Sequence, residues 1–433
     1  MGYSQALSGL SSASDELDTI GNNIANSSTI GFKSSTTVFA DVYANSVSTG
    51  VTTDQGIGVR TVGVQQNYGE GGLTTTGNAT DLAINGNGFF QLSVNGVTEY
   101  SRDGQFHIDP NGYLINAEGA NVTGYPTSAG GVVTTLVPQP IQINEGAMAP
   151  SASTSITAGG INIDSSLGVP SVTPFNPSNA SSYTYTAQTQ AFDSLGNTHN
   201  VVMYFVRDPQ PTPPVTPATI DYSVYATEDG TLITPPAPAT TPGLVGDMQF
   251  SSTGTLVQFS DANGNVNATS PLTVPMTLTS STGSNTPLPL AVNFQGATAY
   301  AGVGSSAAVE ADGYATGNYT GVQIEPDGTV QATYSNDQKV TFGQVVLANF
   351  INPNGLKNVG DNAWIATQDS GPASIGTPNT GPLGQLLSGQ LEESNVDLTA
   401  NLVDLITAQR FYQANAQTVK TQNAVDQTLL NMQ

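Results

Sequence analysis

The stretch SGLSSASDELDTIGNNIANSSTIGFKSS, residues 8–35, joins a helical pattern to an abrupt break. Apolar residues recur there at alternating steps of four and three, which is the spacing of one buried stripe along a coiled-coil helix. The stripe comprises Ala6, Leu10, Ala13, Leu17, Ile20 and Ile24. Asparagines and a glycine follow, and these residue types favour turns. The sequence therefore predicts an N-terminal helix within residues 1–30.

The far end of the chain carries the same spacing over a longer distance. The segment LEESNVDLTANLVDLITAQRFYQANAQTVKTQNAVDQTLLNM spans residues 391–432. Its stripe comprises Leu398, Leu402, Leu405, Gln409, Tyr412, Ala416, Val419, Asn423, Asp426 and Leu430. Ser394 and Asp397 stand where a capping box would start the helix. A helix over residues 396–431 would be about 54 Å long and would exceed the N-terminal stripe by about two heptads, so part of it would lack an intrachain partner.

Between the two ends, the apolar spacing changes from helical to alternating, and turn residues separate short runs. Two turns share one pattern, at Asp109–Gly112 (DPNG) and Glu325–Gly328 (EPDG). Between them, apolar residues alternate over 183–191, and Val201–Val206 form a continuous apolar run. These patterns predict two β domains, one inserted into the other.

We therefore expect a multidomain chain with an α-helical coiled-coil terminal domain formed by both chain ends, plus two nested all-β domains. The matching terminal stripes and the paired turns are the evidence for this nesting. The predicted divisions are 1–30 for the N-terminal helix, 31–70 for an extended linker, 71–146 and 303–390 for the two segments of the inner β domain, 147–302 for the inserted outer β domain, and 391–433 for the C-terminal helix.

The composition argues against several functional classes. The 433 residues include 32 acidic and 8 basic side chains, which give a formal net charge of −24. Lys and Arg supply most of the affinity of proteins for phosphates and anionic lipids, so we expect neither nucleic-acid binding nor membrane insertion. No segment approaches the ~20 apolar residues that span a bilayer. Because cysteine is absent, disulfides, a thiolate nucleophile and a cysteine zinc site are excluded.

Few side chains suit catalysis or metal binding. The two histidines, His107 and His199, lie in strand patterns without a neighbouring Asp or Glu cluster at metal-ligand spacing, so we expect polar strand residues. The segment Asp261–Asn265 resembles a calcium loop but lacks its full ligand register and terminal glutamate, and a turn is predicted there. No paired carboxylates indicate a glycan hydrolase. We expect no enzyme, cofactor or metal.

Strings at both ends resemble one family. NNIAN with TIGFK, residues 22–33, and SNVDL with QRFYQAN, residues 394–415, strongly resemble the paired terminal signatures of bacterial flagellar rod and hook proteins, the axial proteins of the flagellum. The stripes and these strings together give the residues that we expect at subunit interfaces. They are Leu10, Leu17, Asn22, Asn23, Ile24, Asn26, Gly31, Phe32, Lys33, Asn395, Val396, Leu398, Leu402, Leu405, Gln409, Arg410, Tyr412 and Val419.

Central strings narrow the resemblance to the hook branch of this family. DLAINGNGFFQL, residues 81–92, and DNAWIATQDSG, residues 361–371, resemble the inner β domain of axial proteins. AFDSLGNTHNVVMYFV, residues 191–206, is similar to the inserted outer domain of hook subunits, which distal rod proteins are expected to lack. A distal rod protein is the nearest alternative, and an exported β-rich surface adhesin is an alternative from a different class.

The resemblance implies a structural subunit that assembles with copies of itself into a curved, flexible tube and transmits motor torque from rod to filament. It implies further partners, namely the distal rod protein, the hook cap and the hook–filament junction proteins. It also implies export by the flagellar type III apparatus to the hook outside the cell, without a cleaved signal peptide. The N-terminal sequence agrees with that route, since it has no basic residue before Lys33 and no signal-like apolar run.

Overall fold

The computed structural model describes residues 2–43, 56–128, 131–210, 219–235, 237–267, 273–278, 284, 288–305 and 309–430. Helix α1 spans Gly2–Ala25 and helix α2 spans Leu398–Leu430. Short 3₁₀ helices lie at Ala180–Ser182 and Pro353–Gly355, and strands make up the other regular structure of these residues. The prediction of a mostly β chain with a helix at each end is confirmed. Neither helix has an apolar stretch that could span a bilayer.

The strands are numbered in chain order. The first ten are β1 (Ser35–Tyr43), β2 (Gly56–Gln66), β3 (Leu73–Thr75), β4 (Leu82–Asn85), β5 (Phe89–Val94), β6 (Val97–Ser101), β7 (His107–Ile108), β8 (Leu114–Ile115), β9 (Asn121–Pro126) and β10 (Gln139–Pro140). The next eleven are β11 (Ser155–Thr157), β12 (Tyr185–Phe192), β13 (Thr198–Arg207), β14 (Thr219–Glu228), β15 (Thr231–Leu232), β16 (Leu244–Ser251), β17 (Leu256–Asp261), β18 (Val266–Asn267), β19 (Thr273–Leu278), β20 (Leu288–Asn293) and β21 (Glu310–Ala311). The last nine are β22 (Tyr319–Ile324), β23 (Thr329–Tyr334), β24 (Lys339–Val345), β25 (Leu347–Asn349), β26 (Lys357–Gly360), β27 (Ala363–Ile365), β28 (Ser374–Gly376), β29 (Gln385–Ser388) and β30 (Gln390–Glu392).

Internal contacts divide the chain into two compact units. Unit 1 comprises Met1–Glu145, Thr320–Thr333 and Lys339–Gln433, and unit 2 comprises Gly146–Tyr319 and Tyr334–Gln338. The main sheet of unit 1 runs in the order β22-β23-β24-β9-β5-β6-β27-β26. Early strands also pair with late ones in β5–β25, β4–β29 and β3–β30, all antiparallel. Unit 1 is therefore built from stretches of sequence that unit 2 separates.

An aromatic cluster in the core of unit 1 joins the main sheet to the end of the first hairpin. The Phe89 ring lies 5.6 to 5.9 Å from those of Tyr68, Phe350 and Trp364, in edge-to-face contacts. Trp364 donates its indole N–H to Oε1 of Gln66 at 2.7 Å. Edge-to-face contacts between aromatic rings stabilise a core beyond the burial of their surface. The cluster therefore fixes the end of β2 against the main sheet.

The segment 31–70 was expected to be an extended linker, but the structure forms an antiparallel hairpin there. Strands β1 and β2 pair from Ser35 opposite Gln66 onward. Their β-branched residues favour pleated strands, a signal that the prediction of a linker left out. The hairpin packs on α1, where Thr61 Oγ1 donates to Asp15 Oδ2 at 2.7 Å. Residues 44–55 of the segment lie outside the described residues.

Unit 2 has its own core between two sheets. Its described strands form a seven-stranded sheet, β12-β13-β14-β16-β17-β18 with β15 beside β14, and a four-stranded sheet, β19-β20-β11-β21. Phe294, just after β20, stacks on Phe259 of β17 with ring centroids 5.2 Å apart. The same ring contacts Phe205 of β13 at 6.1 Å. These rings bury the facing surfaces of both sheets.

The predicted turns are confirmed. The amide of Gly112 donates to the carbonyl of Asp109 at 2.9 Å between β7 and β8. The amide of Gly328 donates in the same way to Glu325, also at 2.9 Å, between β22 and β23. The segment from Asp261 closes as a turn, with Oδ1 of Asp261 accepting from the backbone amides two and four residues later.

Candidate functional site

The two chain ends meet at a buried ion cluster in unit 1. Lys33, which follows α1, places Nζ 2.5 Å from Oε1 of Glu392, which precedes α2. Arg102, which follows β6, places Nη1 3.0 Å from the other carboxylate oxygen, Oε2. The side chains of Lys33 and Glu392 are 0% exposed and that of Arg102 is 4% exposed. We call these three residues the terminal cluster, because it joins segments from both ends of the sequence.

Backbone groups complete the terminal cluster. Lys33 Nζ also donates to the carbonyl of Gly69 at 2.8 Å. The amide of Gly71 donates to Oε1 of Glu392 at 2.8 Å. Buried charges are tolerated when they are both paired and hydrogen-bonded, and removal of one partner is strongly destabilising. The cluster therefore fixes the position of the chain on either side of the first hairpin.

Arg102 connects the cluster to the aromatic core. Its Nη2 donates to the carbonyl of Gly86 at 2.8 Å. Its guanidinium carbon lies 5.5 Å from the centre of the Phe89 ring, within the range of a cation–π contact. The main sheet of unit 1 thus holds the cation that faces Glu392.

Gly31 holds the N-terminal segment against the backbone of Glu392. Its amide donates to the backbone carbonyl of Glu392 at 2.8 Å. The φ angle of Gly31 is +69°, and a Cβ atom there would lie 2.6 Å from the amide nitrogen of Asp103. Any other residue would clash with this backbone and adopt an unfavourable conformation. This geometry explains why a glycine precedes Phe32 and Lys33.

Two asparagines of the terminal signatures hydrogen-bond within the chain. Asn395 accepts from the amide of Ser34 at 2.7 Å and donates to the carbonyl of Asn67 at 2.7 Å. Asn23 accepts from the amide of Ser35 at 2.9 Å and donates to its carbonyl at 2.8 Å. Asn23 also donates to Oδ1 of Asn401 on α2 at 3.2 Å. These amides therefore fasten the hairpin and both helices together.

The terminal cluster perturbs the acid–base behaviour of its members. Burial alone would raise the pKa of Glu392, but Arg102 and Lys33 together hold it below its ordinary value. Burial lowers the pKa of Lys33, although the charge of Glu392 opposes that shift. The carboxylate therefore stays ionised in the folded chain at pH values where an exposed glutamate would take up a proton.

The helices of unit 1 pack against one another along a narrow seam. On α1 the buried apolar residues are Ala6, Ala13 and Ile20, which are seven residues apart. At Gly9, a Cβ atom would lie 2.9 Å from Nδ2 of Asn415 on α2, so the backbones approach closely. Helix α2 starts after Asp397, whose Oδ1 accepts from the amide of Ala400 at 3.0 Å. The predicted capping box placed the cap at Ser394 and Asp397 three residues later, whereas in the structure Asp397 itself caps α2.

The seam on α2 differs in part from the predicted stripe. Leu405, Ala416 and Val419 are partly buried as expected, whereas the other seven predicted positions, such as Leu402 and Gln409, are exposed. The other more buried positions lie one residue earlier than predicted, at Asn401, Ala408, Asn415 and Gln422. Small and amide side chains allow the close approach at Gly9, where leucine would not fit. The four-and-three spacing recurs on α2, but three of the ten predicted positions lie in the seam and seven do not.

Because the seam of α2 is shifted from the predicted stripe, large apolar side chains of α2 are exposed. Successive residues of a helix are about 100° apart, so these exposed side chains fall into two groups, one on each flank of the seam. The first group is Leu398, Leu402 and Ile406, and the second is Val403, Phe411 and Val425. Their exposed fractions range from 45% for Leu402 to 59% for Val403. We call these six residues the flank residues of α2.

The remaining predicted interface residues occupy mixed environments. Asn23, Gly31 and Lys33 are buried within the chain. The partly buried ones are Leu10, Leu17, Ile24, Asn26, Phe32, Asn395, Val396, Leu405 and Val419. The exposed ones are Asn22, Leu398, Leu402, Gln409, Arg410 and Tyr412. Within the part of the chain that the structure describes, Arg410 makes no ion pair.

Sequence reasoning missed Glu392 and Arg102. The partner of Lys33 lies 359 positions along the chain, so no local pattern indicates it. One signal was present, since Lys33 is one of only 8 basic residues and stands among small and apolar neighbours. A cation in such a setting requires a carboxylate, and Glu392 lies within the quoted C-terminal segment.

We predict that Glu392→Gln lowers the free energy of unfolding of unit 1 by about 3–5 kcal/mol, because it leaves two buried cations without a counter-charge. Trp364, the one tryptophan of the chain, lies in this core and reports its unfolding in urea by fluorescence. The matched control is Glu393→Gln at the exposed neighbouring position, which should change stability by less than about 0.5 kcal/mol. Equal effects of the two substitutions would refute the structural role of Glu392.

We predict that the stability of unit 1 decreases in acid, because Glu392 must stay ionised in the folded chain. Its folded pKa lies below the ordinary value of 4.5, so its stabilisation is complete above that pH and is lost as the pH falls through the folded pKa. Urea midpoints measured by Trp364 fluorescence should fall more steeply with acidification in the wild type than in Glu392→Gln. Glu393→Gln should follow the wild type. If the urea midpoints of all three proteins changed in parallel with pH, the role of Glu392 in this pH dependence would be contradicted.

Comparison with protein-family models places flagellar domains along most of the chain. The "Flagella basal body rod protein" model matches residues 5–33 and the "Flagellar basal body rod FlgEFG protein C-terminal" model matches 387–432. The "Flagellar hook protein FlgE/F/G D1 domain" model matches residues 83–165. The "Flagellar basal body protein FlaE D2 domain" model matches 162–314. The two terminal matches contain Lys33 and Glu392 respectively.

Curated relatives and a solved structure agree with these matches. The Escherichia coli K12 "Flagellar hook protein FlgE" is 41% identical over 438 residues, covering 100% of both chains. The Salmonella typhimurium LT2 protein of the same name is 41% identical over 442 residues with the same coverage. The crystal structure of Helicobacter pylori flagellar hook protein FlgE2 has a TM-score of 0.51 at 13% identity, covers 72% of this chain and 98% of that chain, and shows a shared fold. The chain therefore belongs to the flagellar hook protein family.

Proposed function

We propose that this structural subunit of the flagellar hook assembles with copies of itself into a curved, flexible tube that transmits torque from rod to filament. The observation that carries the proposal is the exposure of the flank residues of α2. Apolar side chains on two sides of one helix favour burial against other molecules. Repeated contacts that do not close on themselves give an open helical polymer.

We further propose that α1 and α2 form a coiled-coil terminal domain that is completed by neighbouring subunits. The seam between α1 and α2 supports this arrangement, as does their difference in length, 24 residues against 33. The predicted interface residues that are exposed on α2, such as Leu402 and Tyr412, would then contact neighbours. Unit 1 without its helices would be the inner domain and unit 2 the inserted outer domain.

The proposal includes partners and a location. Besides copies of itself, the subunit would contact the distal rod protein, the hook cap and the hook–filament junction proteins. It would reach the outside of the cell through the flagellar type III apparatus. Family membership supports these assignments, and the absence of cysteine suits a chain that is exported unfolded. The D2-domain match supports a hook subunit over a distal rod protein, and an adhesin would leave both terminal signatures unexplained.

We predict that Leu402→Asn with Val403→Asn abolishes tube formation, because it removes one apolar contact from each flank of α2. Purified wild-type protein should form tubes at high concentration with added salt, which screens the net charge of −24. Electron microscopy and sedimentation measure the outcome. The helix should persist in the variant, since both positions are exposed.

Leu167→Asn with Val169→Asn in unit 2 is the matched control. It makes the same chemical changes at two residues that are each 46% exposed. This control should still form tubes. Tubes from the α2 variant, or no tubes from the wild type under any condition, would overturn the proposal.

A further inference from the structure

A second buried charged cluster lies in unit 2. His199 of β13 is 4% exposed, and its Nδ1 lies 2.9 Å from Oδ2 of Asp229 and 3.4 Å from Oε1 of Glu228. Its Nε2 lies 3.5 Å from Oδ2 of Asp193. We expected His199 to have no acidic cluster beside it, and that expectation was wrong. The antiparallel pairing of β13 with β14 brings Glu228 beside it from about thirty residues away along the chain.

The atoms around Nδ1 form a donor set for a metal ion. Nδ1 of His199, one oxygen of Glu228 and one oxygen of Asp229 all lie within 4.8 Å of one another. An ion with bonds of about 2.0–2.2 Å to nitrogen and oxygen separates its ligand atoms by about 3–3.5 Å. One imidazole with two carboxylates is a set that Zn²⁺ accepts, with a fourth position left for water. We propose that His199, Glu228 and Asp229 bind one Zn²⁺ ion in unit 2.

The surroundings of the imidazole support this assignment independently. Nε2 of His199 is buried and forms no hydrogen bond of good geometry with any described residue, but it faces Asp193. Histidines that bind metals commonly direct their second ring nitrogen at a carboxylate, which fixes the tautomer. Asp193 is itself held in place, because its Oδ2 accepts from Nδ2 of Asn197 at 2.9 Å. The ring is therefore oriented with Nδ1 toward the other two carboxylates.

A metal ion could reach the site from solvent, and it would compete there with a proton on the imidazole of His199. The Asp229 side chain is 55% exposed, while its Oδ1 accepts from the amide of Asn200 at 2.8 Å, so one carboxylate oxygen is anchored near solvent. Burial alone would lower the pKa of His199, but Asp229 and Asp193 raise it above the ordinary value. Zn²⁺ must displace a proton from Nδ1, and binding is best measured above that pKa.

The test uses the full-length chain, Zn²⁺ as the probe and excess Mg²⁺ to occupy weak carboxylate sites. Equilibrium dialysis should give one tightly held Zn²⁺ per chain, and bound Zn²⁺ should raise the thermal midpoint of unit 2. The ring ¹⁵N resonances of His199 should shift on titration. Those of His107, which is exposed on β7, should not, and they provide an internal control.

Two variants of the site and one control variant decide the assignment. His199→Gln should lose the tight site and His107→Gln should keep it. Asp229→Asn should weaken binding at least about tenfold, and it should fold normally because Asn tolerates the φ of +49° found at this exposed turn. Undiminished binding in Asp229→Asn, unmoved His199 resonances, or no tight Zn²⁺ in the wild type would each overturn the proposal.

Discussion

The buried carboxylate of Glu392, with one cation from each of two distant segments, is the constraint on which unit 1 depends. Lys33 brings the segment after α1, Arg102 brings the main sheet, and Glu392 brings the segment before α2. Such a cluster adds little net stability compared with an apolar core, because desolvation offsets much of the attraction. Its contribution is specificity, since a pairing that separated Lys33, Arg102 and Glu392 would leave buried charges without partners.

Because the cluster fixes the segment that follows α1 and the segment that precedes α2, it also positions the end of α1 and the start of α2. Asn23 and Asn395 extend the same attachment to the hairpin. The helices themselves meet through alanine, asparagine and glycine, which allow close approach but bury little apolar area. The β part is thus determined within one chain, whereas the apolar flanks of α2 are left for contacts between chains. That division suits a subunit that must be specific in fold and adaptable in assembly.

Local patterns in the sequence predicted the parts of the fold that local physics determines. The glycine turns and the helix spacing depend on neighbours within a few residues, and the structure has them. The cap of α2 lies at Asp397, three residues after the predicted cap at Ser394. The phase of the α2 seam was missed because it depends on the facing backbone at Gly9. The hairpin was missed because the β propensity of two segments does not by itself show that they pair.

Contacts between distant residues could not be predicted in this way. The predicted boundary at residue 391 cuts through β30 and assigns Glu392 to the helical end, because a carboxylate in the sequence gives no sign of a distant partner. The same limit hid the acidic neighbours of His199, which come from another strand. In each case the informative feature was chemical, namely a rare cation or histidine that needed a partner in so acidic a chain.

Native-state hydrogen exchange of the unassembled subunit tests the central claim most directly. The amides of Gly31 and Gly71 both donate to Glu392, one to its carbonyl and one to its carboxylate. If the cluster fixes both terminal segments, these two amides exchange as slowly as those of β5 in the main sheet. Exchange of Gly31 and Gly71 as fast as that of the C-terminal turns of α2 would show that the chain ends are not anchored and would contradict the account.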